Sequence, residues 1–479
     1  MLSSAVVVLA VAATAALSSP VTNRVDDAPR ECGLPDALRQ EIAGYRPTVE
    51  RIVAAVTQGP AKGKVWKELA QFVDKFGPRL SGTEVLERSI DHVLGKMRSF
   101  GLDNVHGEPV EVVHWDRGLE EAEMLEPRPC KLPILGLGGS VGTPPGGITA
   151  QVVAVESFDE LKQVANQARG KVLVFAQKYE SYGKTVPYRQ YAAVEGAKVG
   201  AVATLVSSIT PFSISTLHTG WQDYSDNVTK IPTASITKED AEMFLRMYRR
   251  GDKVVVKIKM GGRMLDPVMS RNSVGEVLGK TEPEKVVIVS GHMDSWDVGT
   301  GAMDDGGGAF ISWYSLALIK MLNLPQPRRT IRAVLWTGEE EGLIGAFAYA
   351  KAHKNELNNF NLLMESDEGT FTPSGLEFKG SSQAQCIMQN ILKLLDSING
   401  TTLQPSDDVG SDIMVWSKTD VPLASLRNDN DQYFWFHHSA GDRMTVEQSD
   451  ALDKSTALWA AVAYVVADLS VDIPKNNEV

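Results

Sequence analysis

Cysteine is scarce in this chain of 479 residues, which carries three: Cys32, Cys130 and Cys386. Three thiols allow at most one internal disulfide. That excludes a disulfide-framed scaffold, and without a Cys-x-x-Cys pair there is no redox or zinc-ribbon motif. Basic residues are also in deficit, 48 Lys and Arg against 60 Asp and Glu, a net charge of −12. This balance argues against nucleic acid or an anionic membrane surface as the main partner. Long apolar runs are missing too. The stretch from Ala5 to Leu17 falls short of the roughly 20 residues that span a bilayer, and no later run reaches that length. Small residues follow it, so 1–19 reads as a secretory signal peptide, although its start lacks Lys and Arg. Residues 20–45 are then available as a propeptide. The sequons at Asn227 and Asn399 agree with a secreted chain that carries glycans.

What is present has the composition of a globular protein, 43% apolar and 23% charged, long enough for several domain-sized units. Residues 35–56 read as a short helical segment. In GPRLSGTEVLERSIDHVLGKMRSFGL, Ser81 with Glu84 has the form of a capping box ahead of a helical apolar stripe. His92 within it reads as packed or solvated. Near residue 120 the composition shifts to Gly and Pro, then to short strand-like runs with few helices. A β-rich module inserted over 120–268 is the expectation.

Beyond it, VVIVS, IRAVLW and NFNLLM are nearly pure apolar runs separated by helical stretches. Strands of that kind are buried on both faces of a mostly parallel sheet. The expected fold is an α/β three-layer sandwich, formed by 46–119 and 269–479, with the module inserted between. Each apolar run ends in a polar cluster: Gly291-His292-Met293-Asp294, Thr337-Gly338-Glu339-Glu340-Glu341 and Glu365-Ser366-Asp367-Glu368. A fourth, His437-His438-Ser439-Ala440-Gly441-Asp442, adds imidazoles. Ligands of open α/β sheets bind beyond the carboxyl ends of the strands. Acidic clusters converging there would repel one another unless cations neutralised them, and mixed His and carboxylate donors suit zinc. Taken singly, each cluster also reads as an ordinary strand-end turn or a solvated helix start. Their order and shared context carry the metal reading.

The series His-x-Asp, Asp-Asp-Gly, Glu-Glu, Asp, His-Ser-x-x-Asp resembles the co-catalytic zinc exopeptidases of family M28. WTGEEEGLIGAFAY, YFWFHHSAGDRMTV and GPRLSGTEVLERSIDHV extend the likeness over nearly the whole chain. The resemblance implies two zinc ions per chain, His292 and Asp367 on one, Glu340 and His438 on the other, and Asp304 bridging them. It implies Glu339 as general base towards a water held between the metals, and Asp294 as the carboxylate that orients His292. His438 is preferred to His437 because the family ligand directly precedes Ser or Thr. A tyrosine often stands before it in relatives, so His437 becomes a candidate oxyanion donor. The Asp304–Asp305 peptide is often cis in the family. Where Asp-Thr is usual this chain has Asp442-Arg443, a change at the rim. The resemblance also implies a protease-associated (PA) domain at 120–268, dipeptides or unblocked short peptides as substrates, and a secreted or lysosomal homodimer.

Three alternatives are set against this. Gly138-x-Ser140-x-Gly142 fits a serine-nucleophile pattern, but Pro144 and Pro145 follow where a helix is required. A glutaminyl-cyclase-like transferase would work with one zinc. A transferrin-receptor-like binding protein would have lost the ligands that this sequence retains.

Overall fold

A computed structural model describes residues 33–475. The expected signal peptide, and the expected propeptide up to residue 32, lie outside the described residues. From Asp36 the chain is already helical, through Asp36–Gly44 and Arg46–Thr57.

Two eight-stranded sheets organise the α/β fold. In the larger, the strands run in the order Asp103–Asp116, Arg263–Val277, Arg329–Trp336, Glu282–His292, Phe360–Glu365, Leu423–Asn428, Pro373–Lys379 and Thr402–Pro405. Its centre is parallel: Arg329–Trp336, Glu282–His292, Phe360–Glu365 and Leu423–Asn428 pair in succession in one direction. Antiparallel pairs enter further out. The alternation along Glu282–His292 shows why the apolar runs are continuous. Val286 and Ile288 pack with Trp336, Tyr349 and Trp416 on one face. The other face meets the helices Gly307–Met321 and Ser449–Asp468, buried along nearly their whole lengths. A strand covered on both sides has no polar face to alternate with.

Register then places the polar clusters together. His292 pairs with Trp336, and Ser290 pairs with Glu365, which pairs in turn with Ser425. The residues that follow these strands therefore emerge along one edge.

The second sheet is formed within residues 120–260, in the order Cys130–Leu132, Glu120–Glu126, Val255–Met260, Ile148–Val155, Val172–Phe175, Ala203–Ser207, Thr233–Ile236 and Ile134–Gly136. The chain leaves the first sheet at Asp116 and returns at Arg263, its register partner, so the excursion begins and ends at one point. Four strands of the excursion, Ile148–Val155 through Thr233–Ile236, are parallel. Helices Phe158–Val164, Tyr182–Lys198 and Lys238–Arg249 cover them. The expectation of few helices was thus too strict. The longest, Tyr182–Lys198, carries Pro187 inside it and little amphipathic pattern, which hid it in the sequence.

Another local expectation is corrected. The helix Glu84–Ser99 is capped by Thr83, whose hydroxyl accepts from the Leu86 amide at 3.3 Å, not by Ser81. Gly82, at φ +82°, turns the chain between them and leaves Ser81 buried. His92 is half-buried against Phe72 and Phe76, a packed residue. Among the described residues no helix is long and apolar enough to cross a membrane.

Candidate metal centre

The segment 291–310 builds the floor of the site. Gly291 and Gly308 let it close on itself. A Cβ on Gly308 would fall 1.9 Å from the Ser366 carbonyl oxygen, and one on Gly291 would fall 2.5 Å from both the Ala309 amide and the Asp305 carboxylate. The Asp305 carboxylate accepts from the His292 and Gly308 amides, both at 3.0 Å, tying the strand end to the start of the helix. The Asp304–Asp305 peptide is cis.

Two clusters form, with Asp304 in both. His292 Nε2 lies 3.3 Å from Asp304 Oδ1 and 3.1 Å from Asp367 Oδ1. On the other side, His438 Nε2 lies 2.9 Å from Glu340 Oε2 and 3.3 Å from Asp304 Oδ2. His437 stacks on His438, with centroids 3.5 Å apart, and its Nε2 is 3.6 Å from Asp304 Oδ2. Ligand atoms of His292, Asp304 and Asp367 lie within 4.8 Å of one another, as do those of Asp304, His437 and His438. Glu339 faces this pair of clusters, with Oε2 3.8 Å from His292 Nε2 and Oε1 accepting from the Ser411 hydroxyl.

The residues fit a cation better than they fit one another. Asp304 Oδ2 and Glu340 Oε1 are buried carboxylate oxygens without a hydrogen-bond partner, a costly state unless something positive is shared between them. Burial and the charge of Asp304 push Glu340 well above the usual carboxylate range, and burial pushes up Asp367. Burial would lower His292, yet Asp367 and Asp304 outweigh it and hold its imidazole well above the usual value. The carboxylates thus recruit a proton where a cation would serve. His438 is the converse: burial, then His437 and Arg189, keep it well below the ordinary histidine value. It is neutral, with a lone pair to give.

The supporting contacts differ from expectation at Asp294. Its carboxylate was expected to orient the His292 ring. The His292 Nδ1 hydrogen bond goes instead to the Asp294 backbone carbonyl, at 2.9 Å, while the nearest carboxylate oxygen is 3.8 Å away. That carboxylate accepts from the Glu339 and Glu340 amides, at 3.3 and 3.2 Å. Asp294 therefore orients the ring through its main chain and the Glu-Glu turn through its side chain. Both duties follow from the tight turn after the strand, which points the side chain across to the neighbouring strand end.

Several supporting residues went unassigned in the sequence. Asp442 accepts from the amides of Ala302 and Met303, at 2.9 and 2.8 Å, and from Asp304 at 3.2 Å. Arg79, fully buried, donates to the carbonyls of Met293, Thr300, Gly301 and Gly77. Asp297 is paired with Arg117 by two guanidinium hydrogen bonds. Glu365 accepts from the Ser411 and Ile413 amides, at 2.8 and 3.0 Å, beside the site. The GPRL stretch and the Asp of His-Ser-x-x-Asp were visible as motifs, but partners that are backbone atoms leave no mark in a sequence. Asn227 and Asn399 are exposed, away from these contacts. Ser140 is buried, its hydroxyl spent on the Val141 carbonyl and the Thr233 amide.

Residues 272–463 match Peptidase family M28. The chain is 51% identical over 439 residues to carboxypeptidase Q of Mus musculus, covering 92% of this chain and 93% of that protein. Among solved structures it resembles a peptidase M28 precursor from Shewanella amazonensis, at 32% identity and a TM-score of 0.86, over 90% of this chain and 99% of that one. The fold is shared more distantly with a zinc aminopeptidase from Bacillus subtilis, at 20% identity and a TM-score of 0.66, over 87% of this chain and 99% of the other.

Proposed function

This chain belongs to peptidase family M28, and from that premise we propose that it is a carboxypeptidase Q-like exopeptidase working with two zinc ions on dipeptides or unblocked short peptides. The observation that carries the reading is Asp304, whose two oxygens face different ligand groups, His292 and Asp367 on one side, Glu340 and His438 on the other. His292 and Asp367 would hold one ion and Glu340 and His438 the other, with Asp304 available to both. Bound there, the ions would polarise the scissile carbonyl and lower the pKa of a water towards about 7.

The chain's own residues supply the rest. Glu339 takes the proton of the attacking water and returns it to the leaving amine. Burial raises its carboxyl above the ordinary range, partly offset by His292 and Ser411, which suits a group that must both accept and release a proton. Asp294 fixes the turn that aims Glu339 and Glu340. His437, lowered by burial to about 3, is a neutral imidazole that can donate to the developing oxyanion. The inserted module is read as a PA domain, the chain as a secreted or lysosomal homodimer, and Asn227 and Asn399 as glycan acceptors.

Zinc titration of chelator-stripped protein, followed by dipeptide hydrolysis, tests the stoichiometry. Activity should rise until two equivalents are bound. Full activity at one equivalent would favour the glutaminyl-cyclase-like alternative, and zinc-loaded protein that cleaves no dipeptide would favour the binding-protein alternative.

A further inference from the structure

His438 has φ +58°, a left-handed backbone that is unfavourable for a residue with a side chain and persists where its surroundings enforce it. What surrounds it comes from the inserted module. His218 and Thr219 lie between the strands Ala203–Ser207 and Thr233–Ile236 of the second sheet, yet they pair with the histidine segment, His218 opposite Ser439 in a short antiparallel bridge. The Thr219 amide donates to the His438 carbonyl at 2.9 Å. His218 Nδ1 donates to the His437 carbonyl at 2.7 Å, and its other ring nitrogen has no partner. Both peptide carbonyls flanking the strained residue are therefore held from across the molecule.

The ring of His438 is held by the same segment. Its Nδ1 lies 3.2 Å from the Thr219 carbonyl, while Nε2 faces Glu340 and Asp304. A carbonyl at Nδ1 places the proton there and leaves the Nε2 lone pair for a metal. Arg189 closes the back of this contact, donating to the Thr219 carbonyl at 3.3 Å and to the Tyr182 hydroxyl at 2.9 Å; its Nη1 also stands 3.4 Å from His438 Nδ1, farther than the carbonyl at 3.2 Å that takes the Nδ1 proton. It packs so tightly on Gly220 that a Cβ there would lie 2.3 Å from the guanidinium.

We propose that the inserted module is a working part of the metal centre, in which His218 and Thr219 are positioning residues that hold His438 in its left-handed conformation and fix its ring as the Nδ1–H tautomer. The proposal rests on His438 being a metal ligand, as proposed above. It assigns the module a duty at the reacting end of the molecule, in addition to any role in bounding the substrate.

His218→Phe keeps a ring and removes the donor, while His218→Asn restores an N–H near the position of Nδ1. In chelator competition on the full-length chain, His218→Phe is expected to weaken one of the two zinc sites about 10–100-fold, the range for groups that orient a metal-bound histidine, and to leave the other unchanged. kcat on a dipeptide should fall more than KM rises, and His218→Asn should recover most of both losses. Unchanged zinc affinity in His218→Phe overturns the proposal, as does a folded His218→Asn that rescues nothing. Should His218→Phe fail to fold, histidine 15N–1H correlation spectra of the zinc-loaded wild type decide the matter. His438 carrying its proton on Nδ1 is expected, and ligation through Nδ1 overturns the proposal. Wild-type protein that binds zinc while the Phe variant behaves identically defeats this inference alone. Wild-type protein that binds no zinc defeats the site reading beneath it.

Discussion

Asp442 touches neither His292 nor His438 in the geometry above, yet three successive amides of the Asp304 segment converge on its carboxylate. Burial and Asp304 push its carboxyl up to about 7, and the three N–H groups stabilise the ionised form. Its duty is to hold the backbone of Asp304, the proposed bridge, in place. Asp442→Asn removes charge and turns one acceptor into a donor facing an amide. Zinc affinity is expected to drop about 10–100-fold, measurable by chelator competition, with the folded structure retained by circular dichroism. Affinity equal to wild type would mean that the segment holds its shape without Asp442. The polar clusters were legible in the sequence because each follows a nearly pure apolar run. The cradle was not, because an aspartate accepting from amides looks like any loop aspartate. The same limit misassigned the Asp294 side chain, since its real partners are the amides of Glu339 and Glu340.

Among the elements, the parallel strands and their register bring the clusters together, and the sequence carried this part well. Apolar runs without alternation mean strands covered on both faces, and each such strand delivers its polar end to one edge. Arg79 belongs to this scale, because it braces the loop that joins the strand Glu282–His292 to the helix Gly307–Met321. Burial lowers it to about 10, against the pull of Asp442, Asp294 and Asp305, so it stays charged. Arg79→Met leaves several buried carbonyls unpaired. The expected cost is roughly 2–5 kcal/mol of stability, read from denaturant midpoints of the metal-free chain. A loss below about 0.5 kcal/mol would show the loop to be self-supporting. The helix Tyr182–Lys198 marks where element-level reading stopped. Pro187 and a weak amphipathic pattern signalled a break, while burial against the second sheet decided the outcome.

For the whole molecule, a buried acidic centre makes stability depend on pH and on metal. Burial pushes Glu447 up to about 8, aided by Asp442 and opposed by the Thr370 hydroxyl. A carboxyl raised on folding contributes stability that is complete below its unfolded value of 4.5 and is lost as pH rises through about 8. The thermal midpoint of metal-free protein should therefore fall between pH 4.5 and 8, and Glu447→Gln, neutral throughout, should flatten that descent. An unchanged slope would place Glu447 outside the linkage. Zinc stabilises the folded chain by mass action, so loaded protein should melt higher than stripped protein. The two sheets and their place in the chain were legible as a shift in composition near residue 120. The approach of His218 and Thr219, between two strands of the second sheet, to His438 was not, because contacts between distant segments leave no local pattern.

Glu339→Gln, with bound zinc and dipeptide turnover measured on the same sample, separates the proposed proton transfer by Glu339 from the proposed holding of metal by the other five residues. About two zinc ions per chain are expected, as in wild type, with kcat reduced about 10²–10⁴-fold, the usual contribution of a positioned base. Wild-type turnover in a zinc-loaded Glu339→Gln chain would contradict the proposed proton transfer.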